Sequence, residues 1–159
     1  MITVTKTVKF DAAHVLTNHQ GLCKNLHGHT YRVDISVSQP EDDGRDMVID
    51  FKDLKGIATE VICDRFDHAF VYNTESAGER EIAAVVEKNG MRTVAIPFRS
   101  TAENLAKMFF GELKARVPGL SSDCVVDDGV SPGGVPSTVV RVRADGEIEV
   151  LREGAIKLV

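Results

Sequence analysis

Two stretches of strict apolar–polar alternation constrain this chain more than any other feature. Residues 2–10 (ITVTKTVKF) and 29–38 (HTYRVDISVS) each send every second side chain to one face; in the second stretch that face collects Tyr31, Val33, Ile35 and Val37. A period of two with β-branched residues describes a half-buried strand. At 159 residues the chain is expected to form one domain over 1–159, large enough to bury a core without disulfides.

The rest of the chain alternates helix and strand signals. Residues 17–26 read as a polar loop, and Pro40 to Asp46 as an acidic turn, with Met47 to Ile49 a further hairpin strand. Asp50 is expected to cap a helix in which Phe51, Leu54, Ile57, Ala58, Val61 and Ile62 recur at helical spacing. Residues 66–78 read as a connection with room for local structure, 79–88 as a short helix ended by Asn89-Gly90, and 91–97 as a short strand. Ser100-Thr101-Ala102-Glu103 has the capping-box form and opens a helix carrying Leu105, Ala106, Phe109, Phe110 and Leu113. That helix is expected to stop before Pro118-Gly119. After a Gly/Pro-rich run at 129–136, residues 137–143 and 147–151 read as a hairpin turning at Ala144-Asp145-Gly146. The expected class is α+β, an antiparallel sheet with two helices on one face.

Five histidines and three cysteines carry the chemistry. His27-Gly28-His29 enters the second strand, where residues i and i+2 point to one side, so both rings can converge on one point. His14 closes the segment Phe10-Asp11-Ala12-Ala13-His14 after the first strand, and antiparallel pairing would bring it close. Three neutral imidazoles on a zinc ion leave one tetrahedral position open. Cys23 reads three ways: a fourth ligand that closes the site, a base or nucleophile activated by the cation, or a small buried apolar residue. Asp67-His68 is either an acid that orients an imidazole or a polar helix end. Cys63 and Cys124 fall in apolar patterns and read as core, and Glu103 is explained by capping alone. An odd, dispersed cysteine set with no leader pattern suits reduced thiols in a cytoplasm. No run of ~18 apolar residues offers a membrane span. The net charge of −5 argues against a nucleic-acid binder. Phosphate-cradling glycine motifs and a nucleophile elbow are absent from the sequence.

Taken in order, Phe10-x-Ala12-Ala13-His14, Cys23-x-x-x-His27-Gly28-His29-x-Tyr31, Val48-x-Asp50-Phe51-x-Asp53-Leu54-Lys55, Asp67-His68 and Thr101-Ala102-Glu103-Asn104-Leu105-Ala106 resemble the 6-pyruvoyltetrahydropterin synthase superfamily. The resemblance runs over roughly residues 3–126. The short Cys23–His27 spacing is similar to its 6-carboxy-5,6,7,8-tetrahydropterin synthase branch. It implies a tunnelling (T) fold, a ring-shaped homo-oligomer such as a homohexamer, and Zn2+ on His14, His27 and His29. The implied substrate is 7,8-dihydroneopterin triphosphate. Cys23 and the Asp67-His68 pair, the latter from a neighbouring subunit, would move protons, and Thr101 and Glu103 would line the pterin pocket. Lys24 would meet the triphosphate. The family's strand-ending Glu-Thr, which anchors the pterin, has no counterpart downstream of Pro118; Asp127 or Asp128 stands in that stretch. The last 35 residues or so (Asp128-Gly129, Pro136 to Val140, Leu151 to Ile156) instead resemble the end of a threonylcarbamoyl-AMP synthase domain. The body of that domain is missing, so residues 127–159 are atypical and that activity does not carry over. An enzyme on an altered pterin and a non-catalytic zinc-containing pterin binder are the alternatives.

Overall fold

The computed structural model describes residues 2–40, 44–117, 121–127, 139–143 and 145–152. Strands β1 (Ile2–His14) and β2 (His27–Gln39) pair antiparallel in unbroken register, from Ile2 opposite Gln39 to His14 opposite His27. Both outrun the alternation seen in sequence, because Ala12 and His14 continue the inward set begun by Val8 and Phe10. The rings of Phe10 and Tyr31, paired across the strands, stack at 4.8 Å. The opposite face is exposed and tied by side-chain pairs, Thr3–Ser38, Thr5–Ser36 and Thr7–Asp34.

The sheet is mixed, which corrects the antiparallel expectation. β3 (Ala69–Asn73) runs parallel to β1, and β4 (Thr93–Ile96) runs parallel to β3. β5 (Ser121–Asp127) lies antiparallel on β2, followed by β6 (Val139–Val142) and β7 (Ile148–Arg152), giving the order β4-β3-β1-β2-β5-β6-β7. β3 lies inside the stretch expected to be a connection. Its run AFVYN does not alternate because both faces are covered: Val71 joins the main core, while Phe70 and Tyr72 join a second cluster. Met47 to Ile49 form no strand. Both edges of β2 are already taken by β1 and β5, so Val48 and Ile49 pack by side chain only.

α1 (Phe51–Ala58) starts where expected, with an Asp50 carboxylate oxygen accepting the Lys52 N–H at 2.7 Å. It continues through a π-helical turn (Thr59–Cys63) into α2 (Asp64–Phe66). α3 (Ala77–Lys88) is capped by Ser76 and ends before Gly90, whose φ of 73° is a left-handed conformation that glycine adopts without penalty. α4 spans Ala102–Arg116 and ends before Pro118-Gly119, as expected. Leu54, Ile62, Phe66, Leu105 and Phe109 bring α1, its continuation and α4 onto the inward face of β1 and β2, each side chain contributing about 1.5–3 kcal/mol by burial. Those are the two helical layers expected on one face. α3 is a third, its Ala83 packed with Val15 and Phe70 on the other side of the sheet. β6 continues the sheet past residue 127, and its Val140 and Val142 belong to the main core. The Gly/Pro-rich run at 129–136 lies outside the described residues, as do Asp128, Pro136, Ala144 and Gly154 to Ile156.

Candidate metal and acid–base site

The β1–β2 register places His14 directly across from His27, with His29 two residues along on the same face. Their ring nitrogens lie within 4.8 Å of one another. His14 is buried, 5% exposed, and the other two are half-buried. His14 Nδ1 lies 3.0 Å from the Ser100 carbonyl oxygen and 3.1 Å from the Ser100 hydroxyl. His27 Nδ1 lies 2.7 Å from the Asn25 carbonyl oxygen. A carbonyl only accepts, so both Nδ1 atoms carry the proton and donate. The two Nε2 atoms, 3.1 Å apart, therefore face each other with lone pairs. Two lone pairs at that distance repel unless a cation lies between them. Backbone carbonyls on Nδ1 are also the usual outer support of metal-binding imidazoles.

Burial, followed by the neighbouring His27 and His29, pushes the His14 pKa down from 6.5 to about 3, against a smaller upward pull from the Ser100 carbonyl. Burial and His27 also lower that of His29. These rings stay neutral near pH 7, the form that binds metal. The sign for the metal-free chain follows. Its unfolded state takes up protons first, so stability is complete above pH 6.5 and is lost as pH falls toward 3. At pH 5 His14 alone should cost about 2 kcal/mol. Calorimetry of metal-free protein should show a melting temperature roughly 4–8 °C lower at pH 5 than at pH 7.5. A drop of the same size in His14→Asn would show that His14 is not its source.

Cys23 sits on a 3₁₀ turn (Leu22–Lys24) between the strands, half-buried, with its carbonyl accepting the Leu16 N–H at 2.9 Å. Its thiol is not part of the three-histidine cluster. Lys24 is exposed on the same turn.

Asp67 and His68 form a second cluster with Asp11. The imidazole Nδ1 of His68 and a carboxylate oxygen of Asp67 are 3.0 Å apart. Asp11 clamps both residues by its backbone: its N–H donates to the Asp67 carboxylate at 2.9 Å, and its carbonyl accepts the His68 N–H at 2.6 Å. The Asp11 N–H, and after it His68, hold the Asp67 carboxyl below the usual carboxylate range. His68 adopts φ 56°, rare for a non-glycine residue. Asp11 belongs to the alternate residue set of β1 from His14, so the two clusters stem from opposite faces of the strand. A groove of about 800 Å³ is lined in part by Asp11, His29, Thr30 and His68.

Thr101, not Ser100, caps α4, its hydroxyl accepting the Asn104 N–H. This corrects the capping-box expectation. Ser100 is drawn away to His14, and Glu103 has no capping role. Glu103 is buried, 3% exposed, and its Oε1 has no hydrogen-bond partner among the described residues. Asp127 stands opposite Arg32 in the β2–β5 register. Asp128 lies outside the described residues. Sequence reasoning missed Ser100 as the support of His14; only its place just before a helix hinted at it.

The family pattern described as 6-pyruvoyl tetrahydropterin synthase matches residues 3–127. The chain belongs to the 6-pyruvoyl tetrahydropterin synthase family. Family members of known sequence include the 6-carboxy-5,6,7,8-tetrahydropterin synthase of Haemophilus influenzae, 43% identical over 117 residues, or 72% of this chain and 83% of that protein. The protein of the same name from Rickettsia bellii is 34% identical, over 67% of this chain and 75% of its own length. Among solved structures, an uncharacterized protein from Wolinella succinogenes superimposes with a TM-score of 0.69 at 17% identity, over 89% of this chain and 97% of that one. The 6-pyruvoyl tetrahydropterin synthase of Plasmodium vivax gives 0.60 at 19%, over 90% and 99%. The family fold is thus shared across this range of identity.

Proposed function

We propose that this chain is a zinc-dependent lyase that converts 7,8-dihydroneopterin triphosphate to 6-carboxy-5,6,7,8-tetrahydropterin, acetaldehyde and triphosphate. The observation that carries the reading is the facing pair of Nε2 lone pairs on His14 and His27, with His29 beside them. Two nitrogens on one tetrahedral zinc stand about 3.3 Å apart, close to the 3.1 Å separation here. The names of the Haemophilus and Rickettsia relatives support the product.

His14, His27 and His29 would hold the ion. When bound it supplies Lewis acidity, lowering the pKa of hydroxyl groups on the substrate side chain. Cys23, as thiolate, takes a proton from that side chain. His68, oriented by Asp67, is the opposing acid–base group. Because the Asp67-His68 cluster stems from the other face of β1, it serves the site of a neighbouring subunit. That geometry favours the ring of T-fold subunits, a homohexamer, which the family resemblance implies. Thr101 and Glu103 line the pterin pocket, and the unpartnered Glu103 oxygen supplies an acceptor for a pterin N–H. Lys24 meets the triphosphate. Asp127 and Asp128 are the remaining carboxylates for the pterin anchor. The product would feed 7-deazaguanine (queuosine) synthesis in the cytoplasm; no helix among the described residues is long and apolar enough to cross a membrane.

The missing Glu-Thr favours one second reading, the same chemistry on an altered pterin. The test is incubation of zinc-loaded protein with 7,8-dihydroneopterin triphosphate and mass analysis of the pterin. A carboxylate product is expected. A pyruvoyl product would move the chain to the other branch, and no turnover of any pterin in a panel would leave a zinc-containing binder.

A further inference from the structure

We propose that Glu79 is a positioning residue for Cys23: acting through Thr17, it fixes the loop that carries the thiol. Glu79 is fully buried, 0% exposed, yet has no cation within ion-pair distance among the described residues. A buried carboxylate is tolerated only where donors replace its water. One oxygen accepts the Asn73 N–H at 2.7 Å, at the end of β3. The other accepts the Thr17 hydroxyl proton at 2.8 Å. The Thr17 oxygen also lies 2.9 Å from the Ser76 hydroxyl, which caps α3 and accepts the Glu79 N–H. Glu79 is the third residue of α3, where the helix dipole favours negative charge.

This carboxylate does more than terminate a helix, because of where Thr17 lies. It comes three residues after His14 and six before Cys23. Its neighbour Leu16 is buried and donates its N–H to the Cys23 carbonyl. The chain of bonds therefore runs from the α3 N-terminus through Glu79 and Thr17 to the turn bearing Cys23. Apart from the Asn25 carbonyl, which accepts from His27 Nδ1 on β2, the remaining hydrogen bonds of that loop among the described residues are local, within residues 16–25. Through Thr17, Glu79 and the Ser76 beside it tie the loop to α3.

The inference rests on the lyase reading for its catalytic part only, so two readouts are needed. The variant is Thr17→Val in the full zinc-loaded chain, with Thr17→Ala as a second should valine not fold and Thr17→Ser as the rescue. The first readout is alkylation by iodoacetamide, followed by peptide mass analysis. Cys23 should react at least ~5-fold faster in Thr17→Val, because the half-buried thiol is released by local opening. Cys63, half-buried on the π-helical turn, should react at the parental rate and so reports global stability. The second readout is turnover per zinc-loaded site. A misplacement of about 1 Å costs on the order of 10²-fold in rate, so kcat should fall roughly 10- to 100-fold with KM within about threefold. Thr17→Ser should restore both. An unchanged Cys23 alkylation rate overturns the proposal whether or not the parent turns over a pterin. Faster alkylation with parental kcat overturns the positioning role. A parent that turns over nothing sinks the lyase reading instead, and the alkylation ratio still decides whether the Thr17 tie to Glu79 and Ser76 holds the loop.

Discussion

Replacing Cys23 by alanine is expected to lower kcat on 7,8-dihydroneopterin triphosphate by about 10²–10⁴-fold, the usual weight of a positioned proton-transfer group. KM should change little, because in the proposed role the thiol would touch the proton in flight and not the bulk of the pterin. Fold and metal content should survive. The bond that ties this turn to Leu16 uses the Cys23 carbonyl, which alanine keeps, and the thiol is not part of the histidine cluster. A substitution of that kind usually stays within about 1 kcal/mol. Metal analysis and calorimetry alongside the kinetics separate a lost base from a lost fold. Parental turnover by Cys23→Ala would remove the thiol from the mechanism.

The second large effect concerns His68. Here the informative variant is His68→Asn, because His68 sits at φ 56° and asparagine tolerates the left-handed region better than alanine does. His68→Asn alone should lose on the order of 10²-fold or more in kcat. The geometry makes a stronger demand. If the dyad serves a neighbour's histidines, Cys23→Ala and His68→Asn subunits are each defective in a different half of a shared site. Unfolded together, refolded and remetallated, an equal mixture should regain about a quarter of parental activity, since one junction in four pairs an intact Cys23 with an intact His68. Separately refolded variants, mixed afterwards under conditions that block exchange, should regain none. No recovery in co-refolded mixtures would place both groups of a site in one chain.

The histidine cluster was legible early because alternation is a rigid rule. Residues i and i+2 share a face, so His27 and His29 had to align once residues 29–38 were seen as a strand. The partner of that pair was legible only as a candidate, because nothing local sets how far β1 runs. Ala12 and His14 extend it by continuing its buried set, and the turn bonds within residues 16–25 close the loop so that His14 meets His27. β3 was invisible for the opposite reason. Five residues covered on both faces carry no alternation, and their parallel partner β1 lies more than fifty residues away.

Two hydroxyls side by side, Ser100 and Thr101, show what sequence alone leaves open. Either could cap α4 by local rules. The His14 ring, 86 residues earlier in the chain, takes Ser100 and leaves the cap to Thr101. That choice releases Glu103 from the capping box and leaves it buried with a free acceptor. Nothing beside Glu79 in the sequence marks it out; its partners, Thr17 and Asn73, come from outside its helix. By itself the sequence determined periodicity, and with it the strand faces, the α1 cap and the HxH pair, because those depend on neighbours a few bonds apart. The tertiary structure decided register, parallel pairing and the partner of each buried polar atom. Those depend on which distant groups must be satisfied once water is excluded, and no local pattern encodes that.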